Sequence, residues 1–189
     1  ERAGILVPQG GPRPKVAQLR MYGAQVLLVD GTYDDAFDLS IAASDAFGWY
    51  CRNTGYNPYT AEGKKTAAFE IWEQVIARQL PDEPLNVFVS VGDGNIIAGL
   101  HKGFKALHAL GWLAHVPRIY GVQAAGSASL VHAFEAGTEH FEMVAAETVA
   151  DSISVGLPRD GLRALRAVTD TGGAYLAVSD DAILAAMRT

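Results

Sequence analysis

LNVFVSVGDGNIIAGLHKGFKALHAL, Leu85–Leu110, is the stretch that decides the fold. An apolar run leads into a tight glycine loop, and a helical pattern follows. Val87, Phe88, Val89 and Val91 are β-formers with only Ser90 polar among them, which predicts a strand buried on both faces. Gly92 and Gly94 permit backbone angles and close approaches that a Cβ would forbid. The helix then opens with unsatisfied N–H groups and the positive end of its dipole above the loop. Such a turn binds anions, and a phosphate suits it. An ordinary strand-to-helix turn would use the same residues, because short glycine loops are common between strands and helices.

Composition narrows the function classes. The 189 residues suffice for one good core or two small ones. At 49% hydrophobic and 19% charged the chain suits a folded protein rather than a disordered one. A net charge of -6, a pI near 5.3 and scattered basic residues argue against a general nucleic-acid binder. Cys51 is the single cysteine, so no intramolecular disulfide can form and no cysteine cluster can hold a metal. A reducing, cytoplasmic setting fits best. No apolar run approaches a membrane span, and no signal-peptide pattern is seen. The chain enters an apolar strand at Ile5-Leu6-Val7 without an initial methionine and ends inside a helical pattern, SDDAILAAMRT. Both ends read as interior cuts, so a longer parent protein is expected.

Upstream of the loop, Gly4–Pro8 predicts a strand and Lys15–Tyr22 a helix stopped by Gly23. Gln25–Val29 predicts a second buried strand, Tyr33–Phe47 a helix with Phe37 and Ile41 inward, and Trp49–Arg52 a third strand. That β-α-β-α-β order implies a parallel sheet with crossover helices. NTGYNPYT, Asn53–Thr60, closes the first unit. Ala61–Leu80 predicts one long amphipathic helix, stopped by Pro81-Asp82-Glu83-Pro84. Downstream, Arg118–Gln123 predicts a strand, and Ser127 is a candidate cap for a helix over Ala128–Ala136. Glu147–Gly156 reads as a loop or short strand. A helix lies within Pro158–Asp170, with Leu162, Leu165 and Val168 inward. Gly172-Gly173 turns into a strand, Ala174–Val178, and Ser179 caps a last helix that has Asp180 and Asp181 in its first turn. The fold class is α/β, with parallel twisted sheets and flanking helices.

Five phrases, in order, resemble one family. LVPQGGPRPKVAQLRMYGAQVLLVDGTYDDA (Leu6–Ala36) resembles a segment of pyridoxal-phosphate enzymes of the threonine synthase and serine/threonine dehydratase kind. NPYTAEGKKTAAFEI (Asn57–Ile71) resembles the threonine synthase phrase NPYRLEGQKT, and VSVGDGNIIAGLHKGFKAL (Val89–Leu107) resembles the cofactor phosphate loop with its helix. RIYGVQAAGSASLVHAF (Arg118–Phe134) and ETVADSISVGLP (Glu147–Pro158) complete the set. The resemblance is to a threonine synthase-like member of the fold type II (tryptophan synthase beta-like) enzymes. It implies a two-domain protein with the cofactor in the cleft: residues 1–53 part of the smaller domain, and residues 54–189 part of the larger, cofactor-binding one. It implies that Gly92, Asp93, Gly94, Asn95 and Ile96 hold the phosphate of pyridoxal 5'-phosphate through backbone N–H groups. The implied substrate is a small amino acid, O-phospho-homoserine in a threonine synthase, and relatives of this kind are often homodimers. A serine/threonine dehydratase or a diaminopropionate ammonia-lyase is the alternative enzyme. A non-catalytic binding fragment is the alternative outside enzymes.

Asp93 departs from the family, whose loop is more often the longer, neutral GNAGN. A carboxylate beside a phosphate dianion is repulsive, so either its side chain turns away to cap a backbone N–H or no phosphate binds here. The Schiff-base lysine, the substrate loop, and the serine or threonine that meets the pyridine nitrogen are all missing. They are expected upstream of Glu1 and downstream of Thr189. No lysine here is therefore a catalytic candidate; Lys64, Lys65, Lys102 and Lys105 read as solvated charges. The five histidines, His101, His108, His115, His132 and His140, show no metal-ligand spacing and read as helix-surface or helix-end residues. By resemblance to the family phrase TIADG, Asp151 and Ser152 line the cleft; a plain turn explains them equally. Glu62 and Thr66 either brace the cleft or cap a helix. Cys51 reads as an inert core thiol, and Trp49, Trp72 and Trp112 as core or contact residues.

Overall fold

The computed structural model describes residues 3–76 and 85–189. The chain divides into two compact units, Glu1–Asn53 and Thr54–Thr189.

In the first unit, β1 (Gly4–Pro8) and β2 (Gln25–Val29) pair in parallel from Gly4↔Gln25 to Pro8↔Val29. The crossover is α1 (Arg13–Met21), which takes Pro14 into its first turn, where a missing N–H costs nothing. After β2, Thr32 and Asp35 form a reciprocal capping box that starts α2 (Tyr33–Phe47). Ala36 and Phe37 bury against β1. Two expectations fail here. Trp49–Arg52 is not a strand: Trp49 N–H returns to the Ser44 carbonyl at the end of α2, and Cys51 is only half-buried. The segment instead borders an open groove of about 840 Å³, lined also by Leu6, Tyr33 and Phe37. Nor is β2 buried, since Leu27 and Leu28 are about half exposed.

The second unit carries a three-stranded parallel sheet in the order β3 (Asn86–Ser90), β4 (Arg118–Ala124), β5 (Tyr175–Val178). Strands added in one direction through right-handed crossovers place every connecting helix on the same face. That face is covered by α5 (Asn95–Ala109) and α7 (Gly161–Thr169), which touch each other and β4. Ile97, Leu100, Phe104, Ile119, Ala164 and Val168 form the centre of this core. No helix of the described residues covers the opposite face, and β3 is buried on one face only. Val89 is buried, while Phe88 is 62% exposed and stacks on Tyr120 at 4.7 Å. The apolar run was a poor guide because it cannot report how many layers cover a strand.

The helix expected over Ala61–Leu80 is broken. It runs as α3 (Pro58–Gly63), capped by the buried Asn57, then α4 (Thr66–Ile71), then a π-helical turn Trp72–Ile76. Three-residue hydrogen bonds from Lys64 and Lys65 N–H to Ala61 and Glu62 carbonyls tighten and end α3. The close approach of α5 fits this break. A Cβ on Gly99 would lie 2.5 Å from Lys64 Cβ, and one on Gly103 would lie 2.6 Å from Ala68 Cβ. The rest of the expected helix and its Pro81–Pro84 stop fall outside the described residues. Between β4 and β5, α6 (Ser129–Glu135) is not capped by Ser127. Buried Gln123 accepts from Leu130 and Val131 N–H at 2.9 and 3.1 Å and does that work. Leu165 and Val168 point inward on α7 as expected, but Leu162 is 39% exposed. The last helix, α8 (Asp180–Ala186), is capped by Ser179. Asp180 lies in its first turn and also holds Thr148 and Val149 N–H.

Candidate functional site

The strand–loop–helix unit forms as the residues dictate. Val91 N–H still bonds β4 at Val122, and Gly94 takes φ +88°, a left-handed angle that an L side chain resists. Gly94 thereby becomes the cap residue of α5, and its carbonyl accepts the first helical bond, from Ala98. Among the described residues no backbone carbonyl accepts from the N–H groups of Gly92, Gly94, Asn95 or Ile96. Four donors are thus left at the mouth of a 15-residue helix. Gly92 does not use a left-handed angle. Its need is space, because a Cβ would lie 3.0 Å from Ile153 Cα and 3.1 Å from a Val155 methyl.

Asp93 turns toward the chain. Its Oδ1 accepts from Arg159 N–H at 3.3 Å, and its carbonyl accepts from Asp160 N–H at 2.9 Å. Asp160 is buried, 6% exposed, and answers with Oδ2 accepting from Asn95 Nδ2 at 3.0 Å. Its other oxygen accepts from Arg163 Nε at 2.5 Å. Burial pushes the Asp160 carboxyl above its ordinary value, with the Arg163 and Asn95 hydrogen bonds pulling the other way. Buried Asn95 Oδ1 has no hydrogen-bond partner among the described residues, so a donor from a bound molecule or a water would suit it.

The flanks are set by Ser127. Its hydroxyl accepts from Val155 N–H at 3.0 Å and is 2.8 Å from the Val155 carbonyl, to which it donates. This ties the small-residue loop after β4 to the segment that backs Gly92. Asp151 and Ser152 are exposed, in the short 3-10 turn Asp151–Ile153 of that segment. Glu62 and Thr66 lie elsewhere. Glu62 pairs with Lys65 and Lys102, which hold its carboxyl down at about 2, and the Thr66 hydroxyl donates to the Gly63 carbonyl. His101 departs from expectation, being 8% exposed on α5. Burial depresses its basicity, Lys105 adds to that, and Asp170, 3.9 Å away, opposes it. Among the described residues no three His, Cys, Asp or Glu side chains gather as metal ligands. No helix among them is long and apolar enough to cross a membrane.

A glycine loop with unspent amides lies between a parallel strand and a helix, as the sequence led one to expect, and comparison with known proteins shows the family. The profile of the pyridoxal-phosphate dependent enzyme family matches residues 2–189. The chain belongs to that family. It is 36% identical over 186 residues to a threonine synthase from Methanosarcina acetivorans, covering 97% of this chain and 45% of that protein. It is likewise 36% identical over 190 residues to a threonine synthase from Mycobacterium bovis, covering 98% and 49%. Among solved structures, threonine deaminase isoform 2 from Solanum lycopersicum superposes with a TM-score of 0.73 at 26% identity, covering 98% of this chain and 50% of that one. Maize serine racemase shares the fold at a TM-score of 0.77 and 23% identity, over 99% and 52%. The chain therefore spans about half the length of the relatives it matches. Both parallel sheets and their helices agree with the fold type II architecture of these enzymes.

Several features were missed in the sequence. The Asn95–Asp160–Arg163 cluster and the cap by Gln123 join residues far apart in the chain, and no local pattern marks them.

Proposed function

We propose that this chain is the phosphate-holding half of a pyridoxal-phosphate-dependent lyase acting on an amino acid, most like threonine synthase. That reaction converts O-phospho-homoserine and water to threonine and phosphate, by β,γ-elimination of phosphate followed by addition of water. The observation that carries the reading is the set of unspent amides at Gly92, Gly94, Asn95 and Ile96, in a chain 36% identical to threonine synthases along nearly all its length. Fixed N–H donors at a helix start stabilise a phosphate without any side-chain cation. The residues fit the cofactor's phosphate because Asp93 keeps its Oδ1 and carbonyl engaged with residues 159 and 160. The cofactor, when bound, supplies the electron sink for bond breaking at the amino acid. This chain's own residues hold its phosphate at the loop and wall the site with Ile153 and Val155; no residue of this chain is assigned a catalytic role.

The division of labour follows the two units. Residues 1–53 belong to the smaller domain and residues 54–189 to the larger. A homodimer and a cytoplasmic setting complete the reading; a small amino-acid substrate is supported by the relatives' names, and the lack of a nucleic-acid partner by the net charge of -6. A dehydratase is the second reading, favoured by the 26% identity to the tomato threonine deaminase.

The test is comparative binding. Pyridoxal 5'-phosphate should bind the chain at least tenfold tighter than pyridoxal, which lacks the phosphate, and inorganic phosphate should compete. Borohydride should trap no pyridoxyl group at a defined lysine of this chain. Equal affinity for the two vitamers would refute the phosphate site.

A further inference from the structure

Asp160 stands at the cap position of α7, yet its carboxylate makes no cap bond to its own helix. An aspartate there normally accepts from the N–H groups of the first turn. Here both oxygens are used elsewhere, one on Asn95 and one on Arg163. Its backbone is also engaged with the glycine loop, through Asp160 N–H to the Asp93 carbonyl at 2.9 Å. That bond has a directional consequence. In a trans peptide the carbonyl and the following N–H point in opposite directions. Turning the Asp93 carbonyl onto the start of α7 therefore turns the Gly94 N–H away from α7. The Asn95 side chain, held by Asp160, fixes the next residue, which is the first of α5.

We propose that Asp160 is a positioning residue for the anion loop: by holding Asn95 and the Asp93 carbonyl from behind, it aims the amides of Gly94 and Asn95 outward at the ligand. This rests on reading the loop as a phosphate site. It makes a prediction opposite in sign to simple electrostatics. Any carboxylate near the loop repels a phosphate, so removing its charge alone should tighten binding. A positioning carboxylate should do the reverse when replaced.

Asp160→Asn keeps the shape and removes the charge. The carboxamide has one acceptor oxygen, so it cannot accept from both Asn95 Nδ2 and Arg163 Nε, and its NH2 is forced against a donor. Asp93→Asn is the matched control, because its Oδ1 can still accept from Arg159 N–H while the charge is lost. Both variants and the unaltered 189-residue chain are titrated with inorganic phosphate, following the backbone amide resonances of Gly92–Ile96. In the unaltered chain these amides should shift with phosphate. Asp160→Asn should bind phosphate at least fivefold more weakly, with an altered Gly94 amide before any phosphate is added and an otherwise unchanged, well-dispersed spectrum. Asp93→Asn should bind more tightly. If Asp160→Asn binds as tightly as the unaltered chain or tighter, the positioning role is overturned and the phosphate site stands. If no loop amide of the unaltered chain responds to phosphate, the site itself fails, and the role of Asp160 with it. Should Asp160→Asn lose its dispersed spectrum, Asp160→Ser takes its place: it keeps a single short acceptor for Asn95, and phosphate binding as tight as in the unaltered chain would overturn the role.

Discussion

Gly94→Ala puts one methyl group where the loop meets α7, and its cost can be built from two independent terms. The residue sits at φ +88°, and an L side chain in the left-handed region costs roughly 1–2 kcal/mol. The added Cβ would lie 2.6 Å from Ala164 Cβ and 3.1 Å from the Asp160 carbonyl oxygen. Ala164 is fully buried on α7 and has no flexible end to swing aside, so helix or loop must shift. Overpacking of this kind costs about 1–3 kcal/mol. Together the terms predict a loss of roughly 2–5 kcal/mol, a large part of the stability of an ordinary domain. Urea unfolding followed by circular dichroism measures it as a fall in midpoint at unchanged slope. The same variant should lose phosphate affinity, but by distorting the loop, because the space that the Cβ would take belongs to α7 and not to a ligand. Gly92→Ala is the internal comparison. It carries no left-handed penalty and meets Ile153 and Val155 at 3.0 and 3.1 Å, so only the packing term of about 1–3 kcal/mol applies. A Gly94→Ala protein within about 0.5 kcal/mol of the unaltered one, or a Gly92→Ala variant clearly worse, would refute this account of the loop.

Gln123→Met should cost about 2 kcal/mol or more, because it strips the shared acceptor from the buried N–H groups of Leu130 and Val131; a change below about 0.5 kcal/mol would show that another group caps α6. Two of the perturbed carboxyls, Glu62 and Asp160, should act in opposite directions with pH. Glu62 has its folded value depressed from 4.5 to about 2 by Lys102 and Lys65, so its contribution is present above 4.5 and is lost as pH falls from there toward 2. Asp160 has its folded value raised by burial above 3.8, so its contribution is full below 3.8 and is lost as pH rises through the raised value. Urea midpoints against pH, for Glu62→Gln and Asp160→Asn beside the unaltered chain, should show Glu62→Gln flattening the acid limb. Asp160→Asn should be relatively least damaging at neutral pH, and parallel curves for all three proteins would refute both assignments.

What the sequence revealed was local. The β-branched run at Val87–Val91, the glycine at the required left-handed turn and the helical period after Asn95 all lie within one stretch. The capping residues Thr32 and Ser179 act within three positions of themselves. What it hid was set by topology. Phe88 and Leu28 are as apolar as any core residue, yet both are more than half exposed. Phe88 lies on a sheet face that no helix of the described residues covers, a property of strand order and crossover hand rather than of the run itself. Ser127 looked like a cap because serine precedes so many helices, but its hydroxyl goes to Val155, 28 positions away. Gln123 caps from a strand, a place where no capping rule looks. Asp160 sits 65 residues from Asn95, and only the packing of α7 on α5 brings them together.

The balance of charge around the loop explains why that hidden contact matters. A unit charge 5–10 Å from another costs roughly 2–3 kcal/mol at an effective dielectric constant of about 20, and a dianion doubles it. Hydrogen bonds from amides to a charged group return roughly 1.5–3 kcal/mol each. Four such bonds can outweigh one uncompensated carboxylate, but two carboxylates would consume most of the gain. The fold meets this constraint asymmetrically. Asp93 turns its Oδ1 onto the Arg159 N–H, whereas Asp160 is buried, its carboxyl pushed above the ordinary value by that burial, and paired with Arg163. A loop meant to hold an anion through neutral backbone groups depends on its amides converging on that anion. The same carboxylate that threatens binding by its charge is placed, through Asn95 and the Asp93 carbonyl, to make that convergence happen.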